Sequence, residues 1–418
     1  MHHMPNASLS RSIASSLSSA NTDAAPGGTV RPAAAGMTLL NQREVVNAVG
    51  IVFPSTSFRN GGTTDAVGNP IAGSSVTNPQ PFVLPSLFAT SPVSDIVHIG
   101  LGIFGPDGQA TKYADNWVGR YQLQHVALKT IDIDPAIAIR VTDTLSVGGG
   151  LDIQYAHLAR ANAIDFGSLC FGVLGPGTCT GLGLLPQRAD GRLSIDLSTW
   201  AVGYNLGILF HPSDATHVGL SYRSSVQHDF SGVARFNVPT SAVPLTAGGL
   251  FGNTNAQSRL TTPDVIALGL SQRIDDRWTA LLDVDWTLAS RVKQLSLTFA
   301  NPAQPSLSQP LNLHDSIRIA IGGTYRLSSD TELRAGIAYD QSPVPSTFRS
   351  ADLPNSDAIL IGVGITQQIR DSLRVTASYS REQYVSASLH VSAPGAGTLV
   401  GTVHQHSDAI GLQARVVF

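Results

Sequence analysis

From about residue 44 the chain falls into segments in which apolar and polar residues alternate, separated by polar connections. Leu373, Val375, Ala377 and Tyr379 oppose Arg374, Thr376, Ser378 and Ser380. Ile317, Ile319, Ile321, Tyr325 and Leu327 oppose Arg318, Thr324 and Arg326, and Ile131, Ile133, Ile137, Ile139 and Val141 oppose Asp132, Asp134 and Arg140. At the C-terminus Ile410, Leu412, Ala414, Val416 and Phe418 stand against Gln413 and Arg415. Period-two alternation gives a sheet with one apolar and one polar face.

Fourteen such segments occur, at roughly 44–59, 80–91, 96–113, 121–142, 145–162, 195–211, 216–234, 259–274, 277–299, 312–327, 331–342, 356–369, 372–390 and 400–418. The number is even only if Ile99 to Tyr113 is one strand, although Gly105-Pro106-Asp107-Gly108 interrupts it with strong turn formers. Parity therefore favours a break inside a strand over a hairpin turn.

Such a sheet could be a soluble sandwich with the apolar face inside. Two features point instead to a membrane barrel with the apolar face outside. Trp278, Trp286, Tyr325, Tyr339, Tyr379 and Phe418 sit at the ends of apolar faces, where interfacial aromatic girdles lie. The connections also alternate between tight ones (143–144, 213–214, 275–276, 328–330, 370–371) and long ones (163–194, 235–258, 301–311, 343–355, 391–399). A one-residue slip would send Arg318, Arg374 or Arg415 into lipid, at about 2–4 kcal/mol each near the midplane.

Composition agrees. Charged residues are 13% of the 418, about half the usual share. No apolar run is long enough for a spanning helix, so a membrane form must be a closed β-barrel. A net charge of −3 without basic clusters argues against a nucleic-acid partner. No metal or cofactor motif is visible, and the first ten residues lack the basic and apolar regions of a secretory signal. Cys170 and Cys179, nine apart, suit one local disulfide in an oxidising compartment, with two free thiols as the alternative. Residues 1–43 do not alternate, and their Ala, Ser and Gly content suits a plug inside a lumen or a disordered leader.

Phe104 to Tyr121 (F-G-P-D-G-Q-A-T-K-Y-A-D-N-W-V-G-R-Y) and Leu128 to Ile139 resemble the third and fourth strands of the FadL family of outer-membrane transporters for long-chain fatty acids and other hydrophobic compounds. Tyr222 to Gly232 and Arg334 to Pro345 resemble that family's seventh strand and its eleventh strand with the following loop. The resemblance implies an all-β, 14-stranded antiparallel barrel in the outer membrane of a Gram-negative bacterium. It also implies an N-terminal hatch at 1–43 and a barrel at 44–418. Family hatches carry Asn-Pro-Ala, and here Arg31 precedes Pro32 and Ala33. The terminal Phe418 resembles the signal read by the barrel assembly machinery, and the expected assembly is a monomer surrounded by outer-membrane lipid.

The implied function is passive uptake of a hydrophobic ligand (a fatty acid, a detergent or an aromatic hydrocarbon), with no cofactor. The ligand would leave sideways at the kink formed by Phe104, Gly105, Pro106, Asp107 and Gly108; a bulge that merely bends the wall is the alternative. Two long loops are unusually apolar, with Phe166, Leu169, Phe171, Leu174, Leu182 and Leu185 in one and Val243, Leu245, Leu250 and Phe251 in the other. Either they form a capture groove or they pack on each other. His157, Arg160 and His314 lie nearest the positions where family members that take fatty acids place basic residues. Arg160 suits a carboxylate best; neutral histidines would hold one weakly, which leaves room for uncharged substrates. A general diffusion porin and an outer-membrane enzyme are the competing classes. No Gly-x-Ser-x-Gly elbow occurs, and a hatch argues against an open pore.

Overall fold

The computed structural model describes residues 34–75, 81–106 and 108–418. Arg31, Pro32 and Ala33, and Asp107, lie outside the described residues. The first six strands are Glu44–Asn60, Phe82–Pro92, Val97–Phe104 with Gly108–Lys112, His125–Arg140, Leu145–Asp165 and Asp190–Ser213. The seventh to tenth are Thr216–Arg223 with Gln227–Asn237, Thr254–Thr261 with Asp264–Arg273, Trp278–Leu288 with Gln294–Phe299, and Leu307–Pro310 with Ser316–Arg326. The last four are Thr331–Asp340, Ala358–Arg370, Leu373–Tyr384 with Ala387–Ala393, and Gly397–Val417.

All pairings between these strands are antiparallel, and the first strand pairs with the last from Glu44↔Val417 to Asn60↔Gly401. That seam closes a 14-stranded barrel and removes the sheet edges that lipid could not satisfy. Arg415 and Glu44 form a two-point ion pair across it on the inner face. The apolar members of the alternating segments point outward: Ile131 is 53% exposed and Ile321 58%, whereas Asp132 is fully buried. The soluble alternative, with the apolar face inside, is thus inverted.

Three sequence expectations change. Residues 391–399 are not a long loop, because Ala393 pairs with Gly397 across a tight turn whose Gly395 and Gly397 have φ of 72° and 73°. The fourth strand begins at His125 rather than 121, because 113–124 turns inward and buries Trp117, Val118, Tyr121 and Leu123. The two long apolar loops shrink to 166–189 and 238–253, since their flanking strands project further than the membrane requires.

Residues Ala34–Leu39 form a 3-10 turn inside the barrel. Thr38 Oγ1 donates to Ser146 Oγ at 2.7 Å, Arg140 Nη2 donates to the Thr38 carbonyl, and His98 Nε2 lies 3.0 Å from the Leu40 carbonyl. Gly100 and Gly148 make room: a Cβ on the first would stand 2.4 Å from Met37 Sδ, and one on the second 2.5 Å from the Ala35 nitrogen.

The seam generates a test. Glu44→Ala leaves Arg415 without this carboxylate on the inner wall, a loss of about 3 kcal/mol. The temperature at which the folded band converts to the unfolded one on an unboiled gel should fall clearly; an unchanged temperature would show that the backbone ladder alone holds the closure.

Candidate functional site

The interior of the barrel is not uniform along its axis. In the sixth strand Leu193, Ile195 and Leu197 point inward and are buried. Further along the same strand Trp200, Val202, Tyr204, Leu206, Ile208 and Phe210 point outward and are exposed. The apolar face thus changes sides near Ser198. The stretch from Trp200 to Phe210 matches the roughly 9–11 residues a tilted strand needs to cross hydrocarbon. The preceding part projects beyond the membrane, with Arg192, Ser194 and Asp196 on its outer side.

Other strands repeat the inversion. In the fifth, the inner face runs from Asp152 and Gln154 to Ala156 and Leu158. In the last, it runs from Leu399 and Val403 to Gln405, Ser407 and Gln413. The result is a contiguous apolar cluster inside the loop-side half, including Phe58, Tyr113, Trp117, Leu158, Phe230, Leu295 and Leu353. Trp117 is fully buried, stacked on Tyr113 at 3.8 Å with Phe58 edge-on at 5.7 Å.

Below this zone the lumen is polar and charge-paired. Arg223 reaches from the seventh strand to Asp132 and, at 3.1 Å, to Asp152. Arg318 lies 3.5 Å from Asp285, and Arg334 lies 2.8 Å from Glu332.

The third strand breaks at the junction of the two zones. Its pairing with the fourth strand passes from Phe104↔Asp132 to Gly108↔Lys129, a shift of one residue in register. Such a shift marks a β-bulge, and Pro106, buried within it, has no N–H for the ladder. On the other side, pairing with the second strand runs from Pro92↔His98 to Leu87↔Ile103 and stops there among the described residues. Among the described residues Phe82–Ser86 then has strand pairing only with the first strand, and Gln109–Lys112 only with the fourth. Phe88 and Phe104 stack at 5.6 Å on the inner side of this gap, with the Arg223 guanidinium 5.6 Å from the Phe104 ring. Leu84 and Phe82 join Val52 and Tyr384 in a small apolar cluster.

Over the mouth the two apolar loops meet. Asp165 caps the helix Phe166–Leu174 by accepting from Ser168 N and Oγ, and also accepts from Gln187 N. Phe166, disulfide-bonded Cys170 and Cys179, Leu184 and Ala242 are buried, with Leu169, Phe171, Leu245 and Phe251 packed against them. Phe166 meets Phe251 edge-on at 4.9 Å. Leu250 is half-buried, while Leu174, Leu182, Leu185 and Val243 remain exposed. A groove of about 520 Å³ between Ile137, Val147, Leu206 and Leu220 is lined by outward-facing residues and belongs to the lipid-facing wall.

The basic candidates separate. Arg160 points inward and is 3% exposed; Nη1 donates to Asn162 Oδ1, Nη2 donates to the Gln122 carbonyl at 2.7 Å, and Asp352 lies 3.8 Å away. His157 shares the outer face with Ile153 and Tyr155 and lies 3.3 Å from Asp196, so it does not line the interior. The cause is parity, since it stands three positions from Arg160 along the strand. His314 is exposed with Nδ1 near the Asp315 carbonyl, while its neighbour Leu313 is buried, so it too stands outside the interior cluster. Asp352, on the inturned loop 341–357, was not singled out by the sequence. Burial pushes its carboxyl up to about 6, against the pull of Arg160. Phe418 lies exposed at the end of the last strand, its N–H donating to the Arg43 carbonyl.

The fold of this barrel has counterparts among known proteins. The sequence profile described as outer membrane protein transport protein (OMPP1/FadL/TodX) matches residues 6–418. The long-chain fatty acid transport protein of Escherichia coli O6:H1 is 27% identical over 346 residues, covering 76% of this chain and 75% of that one. The crystal structure of a Pseudomonas aeruginosa FadL homologue superposes with a TM-score of 0.81 at 21% identity, covering 91% and 92% of the two chains. That of the Pseudomonas putida toluene transporter TodX gives 0.68 at 16% identity, covering 93% of each. These relatives are transport proteins, not enzymes. The chain belongs to the OMPP1/FadL/TodX family of outer-membrane transport proteins of Gram-negative bacteria.

Proposed function

We propose that this protein is a passive uptake channel for hydrophobic small molecules, long-chain fatty acids or aromatic hydrocarbons, as the named activities of its relatives suggest. The observation that carries the reading is the inversion of the lumen. An apolar molecule arriving from the loops meets an apolar interior beside Trp117 and Phe230, then a charged lower lumen that offers it nothing. Each methylene withdrawn from water contributes about 0.8 kcal/mol. A twelve-carbon chain thus gains roughly 9 kcal/mol gross, of which association costs at least about 4. At most about 5 kcal/mol is left, a Kd of roughly tenths of a millimolar or weaker, weak enough for release.

The exposure of Leu174, Leu182, Leu185 and Val243 supports initial capture by the loops. Release sideways is supported by the end of pairing between the second and third strands at Leu87↔Ile103 among the described residues, flanked on the inside by Leu84, Phe88 and Phe104. Unladdered backbone at membrane depth is tolerated where it lines a cavity or is covered by protein. Residues 1–43 act as the hatch that closes the lower end, a role the seating of Ala34–Leu39 supports. The terminal Phe418 serves recognition by the barrel assembly machinery.

Deleting Pro106 removes the extra residue of the bulge and lets the third strand pair in register. Uptake of a radiolabelled hydrophobic substrate by intact cells should fall at least tenfold while the barrel still shows its heat-modifiable band. Undiminished uptake by that variant would sink the side exit. The loops give a second test. Phe166→Ala removes a fully buried ring, a loss of about 3–5 kcal/mol. The segment 166–189 should become open to added protease on intact cells, with uptake at low substrate concentration reduced and uptake at saturation preserved. Unaltered protease resistance would show that the loops do not depend on this contact.

A further inference from the structure

We propose that the apolar interior selects uncharged hydrophobic molecules over carboxylates, because this chain's own Asp352 already occupies the guanidinium that would receive one. The inference rests on the transport reading above and narrows its substrate class.

Arg120 and Arg160 are the only arginines or lysines buried among the described residues, and each faces a carboxylate of the chain. Arg120 Nε donates to Asp190 Oδ2 at 3.0 Å, and its Nη2 donates to the Tyr121 hydroxyl, which in turn donates to Asp190 Oδ1. Arg160 lies against Asp352 with both side chains almost wholly buried. Asp352 is not a surface group that can swing aside. Its neighbours Ala351 and Leu353 belong to the same apolar cluster as Trp117, and the Tyr113 hydroxyl donates to the Ala351 carbonyl.

A ligand carboxylate approaching Arg160 would place two anions against one guanidinium in a medium that screens them poorly. It must expel Asp352, and the packed loop with it, or remain outside. An uncharged molecule meets no such conflict. Arg160 Nε, buried without an acceptor among the described residues, retains one donor for a neutral oxygen such as that of an alcohol or ester.

The test compares 1-dodecanol with dodecanoate, equal in chain length, on the purified full chain at pH 8, where Asp352 is ionised. Equilibrium binding is measured with radiolabelled ligands, with quenching of the buried Trp117 as a second readout. Wild type should bind dodecanol at least tenfold more tightly. Asp352→Asn, which keeps the shape and removes the charge, should strengthen dodecanoate binding at least tenfold and change dodecanol binding less than threefold. An unchanged ratio of the two affinities in that variant would overturn the inference. Equal affinities in wild type would overturn it as well, even if the variant does not fold. Binding of neither ligand would overturn the transport reading itself, and this narrowing with it.

Discussion

Lipid offers no hydrogen bonds, so every backbone N–H and C=O at membrane depth must find its partner within the protein. The continuous ladder from the first strand round to the last, sealed by the pairing of Glu44–Asn60 with Gly397–Val417, meets that demand. Where the ladder is interrupted among the described residues, beyond Leu87↔Ile103 of the second and third strands, the wall needs a special arrangement. The register shift between Phe104 and Gly108, the buried Pro106 and the Phe88–Phe104 stack lie at that place. The proposed side exit would bring constraint and function to the same stretch of chain, because a strand with an interrupted ladder is the natural place for a barrel wall to open.

The second organising feature is the change of side of the apolar face along single strands. Inside the membrane the outer face must be apolar, which leaves the inner face to Asp132, Asp152, Arg223 and their partners. Above the membrane the outer face is wet, and the apolar residues turn inward without any change in strand register. The inturned segments 113–124 and 341–357 complete the apolar zone. Buried charges are tolerated there only in pairs, which is why Arg160 and Asp352 occur together.

Much of this was legible in the residues. Alternation and parity yielded fourteen strands and treated the Gly-Pro stretch as a break within one of them. Tight and long connections oriented the barrel, and the cysteine spacing pointed to the bond between Cys170 and Cys179. The apolar interior was not recognised, although its signal is present: in Leu193-x-Ile195-x-Leu197 followed by Trp200-x-Val202-x-Tyr204 the alternation shifts by one position. His157 was placed inside when its parity with Ile153 and Tyr155 puts it outside. Asp352 had no local signal, because its partner lies on the fifth strand and the two meet only through the folding-in of a loop. The hairpin at 391–399 was mistaken for a long loop because Pro394 and the neighbouring glycines read as open chain, when they make one tight turn.

The central claim is that a hydrophobic molecule resides inside the loop-side half of the barrel. The most direct measurement is anomalous diffraction from crystals of the protein grown with a brominated long-chain alcohol. The account predicts a bromine peak within the apolar interior, close to Trp117, Phe230 and Leu295. Bromine found only on the lipid-facing wall, or in the charged lower lumen beside Arg318 and Arg334, would contradict it.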